Sequence, residues 1–199
     1  MDFLLLALPL GALWFLNVRE QHRRIRLLAS TLGQFQVERQ METVADGYLR
    51  ALGESDAERR AQIWNMLGQA EQTLCAQLRA FANAFGKVDA QAARFSTLPL
   101  CLPYAVQWLG HFSADLRALL QVHATGVEQV LANREQLSQK DRAYRMTAEL
   151  LLLQHSCQWF CRSKATASAR MLARHQTPHA QLVASVSEGT RQAYLRLVA

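Results

Sequence analysis

The chain opens with sixteen residues, Phe3 to Val18 (FLLLALPLGALWFLNV), that carry no formal charge; Arg19, Arg23, Arg24 and Arg26 follow within eight residues. A helix that is apolar on every side has no face for water and must be enclosed by protein or by lipid. No other stretch constrains the fold as strongly, and three readings compete for it. A cleaved secretory leader carries its basic residues before the apolar core and a small-x-small site after it. Here only Met1 and Asp2 precede the core and Asn17-Val18-Arg19-Glu20 follows it, which is the reverse order. A buried first helix would need neighbours on all sides, more than a 199-residue bundle readily supplies. A membrane anchor wants roughly 20 apolar residues to cross about 30 Å of hydrocarbon. Sixteen residues rise only about 24 Å, but a short span is accommodated by local thinning at fractions of a kcal/mol per Å. Pro9 is tolerated in lipid, and Trp14 lies near the charged end, where an indole belongs. The sequence therefore predicts a membrane anchor over residues 1–18. Trp14, Arg19, Arg23, Arg24 and Arg26 would sit at the interface. The arginines mark the cytoplasmic flank, which places the N-terminus outside and residues 19–199 in the cytoplasm. The Ala, Leu, Arg and Gln bias is that of a GC-rich bacterium, so the expected membrane is a bacterial inner membrane.

The net charge of +6 is spread unevenly. Residues 27–99 hold seven basic and eight acidic side chains, and residues 100–199 hold eleven basic and six acidic. Nucleic-acid binding concentrates such charge on one face, and no basic stripe interleaved with aromatics is present. No nucleic-acid partner is expected; a basic surface facing anionic lipid is. The four cysteines, Cys75, Cys101, Cys157 and Cys161, lack the spacing of a disulfide framework and read as reduced thiols in apolar surroundings.

After the arginines, Ile25, Leu28, Leu32 and Phe35 step by three and four. Val37, Met41, Val44, Tyr48 and Leu52 continue after one shift of phase, which predicts a helix over 19–53 stopped by Gly53. Ser55-Asp-Ala-Glu58 reads as a capping box opening a helix over 56–86 with Ile63, Leu67, Leu74, Leu78, Phe81 and Phe85 inward. Residues 87–103 look irregular apart from a short helix near 89–95. Pro103 suits the first turn of a helix over 103–135, striped by Leu109, Phe112, Leu116, Leu119, His123 and Val130. Ser138 to Asp141 opens a helix over 139–173. Thr177-Pro178 opens one over 178–198, with Leu182, Val183, Val186, Tyr194 and Leu197 inward. No run of alternating apolar residues predicts a sheet. The expected class is all-α: a single membrane-spanning helix continuing into an antiparallel cytoplasmic helical bundle.

His155, Cys157 and Cys161 form the densest group of potential ligands. Cys157 and Cys161, four residues apart, share a helix face, and two thiolates suit a soft metal. A tetrahedral site needs four ligands, so His111, His123 or Cys75 would have to complete it. The expectation is core packing for Cys157 beside Leu150, Leu153 and Phe160, and a hydrogen-bonded neighbour for His123, with a haem-ligand role as the alternative. His175 and His179 read as solvated, and Glu149 as paired with Arg145 or His155. Residues 96–112 (STLPLCLPYAVQWLGHF) read as a hinge, or alternatively as an interfacial element. No phosphate-binding loop, nucleophile elbow or H-E-x-x-H motif is present. The sequence thus points to a membrane-anchored scaffold or adaptor, without a cofactor. Residues 19–52 would be a rigid extension, and the partners would be the bilayer and a second protein or a second copy. A metal- or haem-binding bundle is the alternative, and an enzyme of unrecognised type the third reading.

Overall fold

A computed structural model describes residues 2–99, 106 and 110–199, with the backbone alone for residues 2–7. Among these residues nine helices and two short strands follow in order. They are α1 (Asp2–Leu32), α2 (Val37–Gly53), α3 (Ala57–Phe85), α4 (Ala90–Ala93), β1 (Arg94–Ser96), β2 (Ser113–Asp115), α5 (Leu116–Ala132), α6 (Gln139–Cys161), α7 (Lys164–His175), α8 (His179–Ser185) and α9 (Glu188–Val198). The protein is a mostly helical bundle. Its core lies between α3, α5 and α6, where Leu74, Leu78, Phe85, Leu119, Leu120, Met146, Leu152 and Phe160 are buried. The α2 helix packs on α3, α7 folds back on α6, and α9 lies against α5. Phe81, Phe85, Phe160 and Phe95 form a chain of ring contacts through this core, ending on Trp159 at 5.4 Å between centroids.

The long helices expected from periodicity are each shorter, and a local cause is visible at each break. The stretch 19–53 divides at Gly33 to Gln36. There Gln34 and Phe35 donate backbone hydrogen bonds to Thr31 and Leu32, the tightening turn that ends α1. The phase shift in the apolar stripe is this break, and it swings Val37 inward on a new axis. The rigid extension expected over 19–52 is therefore not one continuous helix but the end of α1 and the whole of α2 up to Leu52. In α3 the cap is Asp56, not Ser55; its carboxylate accepts from the Arg59 amide at 2.9 Å. The helix expected over 103–135 is interrupted: residues 110–112 turn, Ser113–Asp115 form β2, and α5 starts only at Leu116, where Asp115 caps it by accepting from the Arg117 amide. Phe112, expected inward, is exposed. Cys101, Pro103, Tyr104, Trp108 and Leu109 lie outside the described residues.

The stretch 139–173 breaks at Arg162, and Ser163 caps α7 by accepting from the Thr166 amide. The stretch 178–198 breaks at Val186-Ser187. Thr177 is not a cap: its hydroxyl donates to the His175 carbonyl, and Pro178 takes the cap position. The all-helical expectation is corrected by an antiparallel ribbon. Arg94, Phe95 and Ser96 pair with Asp115, Ala114 and Ser113, three residues a side and too short to show an alternating pattern.

Among the described residues no helix is long and apolar enough to cross a membrane. The stretch expected as an anchor, 1–18, includes Met1 and the side chains of 2–7, which lie outside those residues.

Candidate functional site

Three features stand out from the packing: the leading end of α1, a groove between α2 and α6, and a buried polar cluster. Every residue from Leu8 to Phe15 is exposed. Leu8 is 71% exposed, Trp14 68% and Phe15 60%, so the bundle covers no side of this apolar helix. The burial of α1 begins further on, at Arg24, Leu28 and Thr31. Arg19, Arg23 and Arg26, expected at a membrane interface, are exposed. Arg24 departs from that expectation. It turns into the bundle, pairs with Glu20 one turn earlier and lies over the Phe160 ring at 5.9 Å. A 3.6-residue repeat cannot keep both Arg23 and Arg24 on one face, and the stripe that places Leu28 inward takes Arg24 with it.

The groove has a volume of 520 Å³. Its floor is apolar, from Met41 on α2 to Leu151 and Cys157 on α6. Glu38, Glu42 and Asp46, one turn apart along α2, form one wall; Arg174 and His175 at the end of α7 close it.

The polar cluster is enclosed. His123 on α5 and His155 on α6 are both fully buried. Ser156 donates its hydroxyl to the Leu152 carbonyl at 3.0 Å, so it accepts from His123 Nε2 at 2.9 Å, which assigns the Nε2–H tautomer. His155 Nε2 meets Ser168 Oγ at 3.1 Å, and its ring stacks on His179 at 4.3 Å. His179 Nε2 reaches the Tyr194 hydroxyl at 3.1 Å. Burial pushes His123 and His155 down to about 3 and His179 to about 4; the neighbouring His179 and Lys164 add to the effect at His155. All three imidazoles are neutral at pH 7. His179 and His175, expected in water, are half-buried, because the turn between α7 and α8 folds back toward α6.

The candidate metal ligands are not brought together. His155 faces α7 and α8, whereas Cys157 faces the groove beside α2. No group of three or more His, Cys, Asp or Glu side chains converges among the described residues. Cys75, Cys157 and Cys161 are free thiols. Burial raises Cys157 far above an ordinary thiol and Cys161 to about 11, so neither is a thiolate nucleophile at neutral pH.

Two buried carboxylates were not foreseen as sites. Glu149 pairs with neither Arg145 nor His155. Its Oε1 accepts from the Ser187 amide at 2.9 Å and the Ser187 hydroxyl at 2.7 Å, while Arg145 turns to Glu135. This capture of Ser187 ends α8 and starts α9. Burial raises the Glu149 carboxyl above the usual range, and the Ser187 hydrogen bonds offset this only in part. Glu71 accepts from the Tyr48 hydroxyl at 2.5 Å and pairs with Arg142 at 3.0 Å, joining α2, α3 and α6. The signal for Glu71 was present: it interrupts the stripe Leu67, Leu74, Leu78 at a position that must face inward. Chemically these are neutral imidazoles and locked carboxylates. They fix helix ends and cross-links, and the two histidines at the centre have no exposed surface.

Compared with known proteins, the chain matches no family model, no curated protein and no solved structure.

Proposed function

We propose that this protein is a membrane-tethered helical scaffold: the leading end of α1 enters a bilayer and the bundle from Arg24 onward presents docking surfaces beside it. One observation carries the reading, the exposure of every residue from Leu8 to Phe15. Burying five large apolar side chains there in lipid is worth on the order of 10 kcal/mol. Among the described residues α1 is not long and apolar enough to cross by itself, so the depth of insertion depends on residues 2–7 as well. Arg19, Arg23 and Arg26, exposed just behind the apolar end, suit anionic headgroups. Their position after the apolar run favours a bundle on the cytoplasmic side of a bacterial inner membrane with the N-terminus outside. Three free thiols agree with a reducing compartment. The scaffold part of the reading is supported by a polar interior that is enclosed and by grooves that lie on the helical surface.

The test is fractionation of the full chain from a bacterial host. It should sediment with inner membranes and resist carbonate and high salt. The triple variant Leu8→Glu, Leu13→Glu, Phe15→Glu should move to the soluble fraction with its unfolding temperature intact, because these exposed side chains support no packing. A wild-type chain in the soluble fraction, or a variant still held by membranes, refutes the tether. Mature protein beginning near residue 18 would establish a cleaved leader instead.

A further inference from the structure

We infer that the groove between α2 and α6 is the contact face of a two-fold dimer of this chain. Glu38, Glu42 and Asp46 are exposed at i, i+4 and i+8 on α2, and none has an ion-pair partner among the described residues. At the other end of the groove, Arg174 belongs to its lining and Arg170 stands one turn earlier on α7. Both are exposed, and neither has an ion-pair partner among the described residues. Between the two lies the apolar floor of Met41 and Leu151. One patch thus carries an acidic wall, an apolar middle and a basic end.

A two-fold contact places the same patch against itself, so residue i meets j and j meets i. Rotation about an axis through the floor sets the acidic wall of each copy on the basic end of the other and closes the two apolar floors together. Other occupants satisfy only part of the patch. A basic helix from a foreign protein would pair with Glu38, Glu42 and Asp46 but leave Arg170 and Arg174 repelled. An anionic bilayer would be repelled by the three carboxylates. A second copy satisfies both ends with one geometry. The inference does not rest on the membrane tether, since neither the groove nor its charges involve residues 8–15. If the tether also holds, confinement of both copies to one membrane raises their effective concentration and lets a modest interface suffice.

The test is the mass of the full chain by sedimentation equilibrium at about 50 µM, a concentration that reads micromolar association, in non-ionic detergent where needed. Wild type should be a dimer that weakens with salt. Glu42→Lys with Asp46→Lys should be monomeric, and so should Arg170→Glu with Arg174→Glu. Each reversal should weaken association by about a hundredfold or more, since like charges then face each other. Mixed in equal amounts, the two reversed chains should form a heterodimer, because each wall again meets an opposite end. Melting curves of the separate variants should match wild type, these side chains having no ion-pair partners among the described residues; if either reversal melts early, the neutral pair Glu42→Gln with Asp46→Asn replaces it, and its dimer should lose most of the salt dependence. A monomeric wild type, a dimer indifferent to both reversals, or reversed chains that stay monomeric when mixed would each overturn the inference.

Discussion

Replacing Gly126 by alanine puts a methyl group where the buried polar cluster leaves no room. A Cβ at that position would lie 2.3 Å from Thr190 Oγ1 and 2.6 Å from Glu149 Oε2, well inside any van der Waals contact. Thr190 and Glu149 are both buried and both belong to the group that holds Ser187. Something must move. Overpacking of this kind costs about 1–3 kcal/mol. A displaced carboxylate also weakens its two hydrogen bonds from Ser187, each worth about 1 kcal/mol. Against this, alanine gains about 1 kcal/mol of helix propensity over glycine. The net is a loss of about 2 kcal/mol, or a drop in Tm of about 4–8 °C for a chain of this size. Gly68 supplies the control: it lies within α3, and a Cβ there meets nothing within 4 Å. Gly68→Ala should therefore gain up to about 1 kcal/mol. The two variants, melted side by side and checked by urea unfolding for unchanged m, should move in opposite directions. If Gly126→Ala is neutral or stabilising, Glu149 is not held where the structure places it.

Arg142→Ala strips the buried Glu71 carboxylate of its cation and should cost about 3–5 kcal/mol; Arg79→Ala breaks the half-exposed pair with Glu128 and should cost no more than about 1 kcal/mol. Equal losses in chemical denaturation would mean that burial does not decide the difference. The depressed folded-state values of His123, His155 and His179 make the unfolded chain bind protons first as pH falls. Their stability contribution is therefore complete above about 6.5 and is lost between there and about 3 for His123 and His155, or about 4 for His179. His123→Gln should flatten the urea midpoint against pH over that interval, and an unchanged slope would contradict it. Glu149 has the opposite sign. Its folded-state value is raised above 4.5, so stability is present below that pH and declines as pH rises through the raised value. The advantage of Glu149→Gln over wild type should grow from pH 4.5 upward; a gap that shrinks would refute the assignment.

The local and periodic part of the protein was legible in the residue order alone. The stripe Leu67, Leu74, Leu78, Phe81, Phe85 defined α3 almost to its ends, because a long helix buries one face and its period survives in the residue order. Leu116, Leu119 and His123 were legible as inward-facing for the same reason. The exposed apolar end of α1 was legible as well, since a run without any polar face has nowhere to go within a bundle of this size. The breaks were not legible. Ser187 ends one helix and begins another because Glu149, thirty-eight residues earlier, takes both its amide and its hydroxyl, and no local pattern encodes a partner that far away. The clustering of His155 with His179 and the separation of His155 from Cys157 depend on which way α7 and α8 fold back over α6. Arg24 shows the boundary between the two kinds of information: its charge suggested water, its helical position required burial, Glu20 one turn earlier is a local partner readable from the residue order, and only packing supplied the Phe160 ring. The acidic wall on α2 and the basic end on α7 lie more than a hundred residues apart in sequence. Tertiary packing alone put them along one groove.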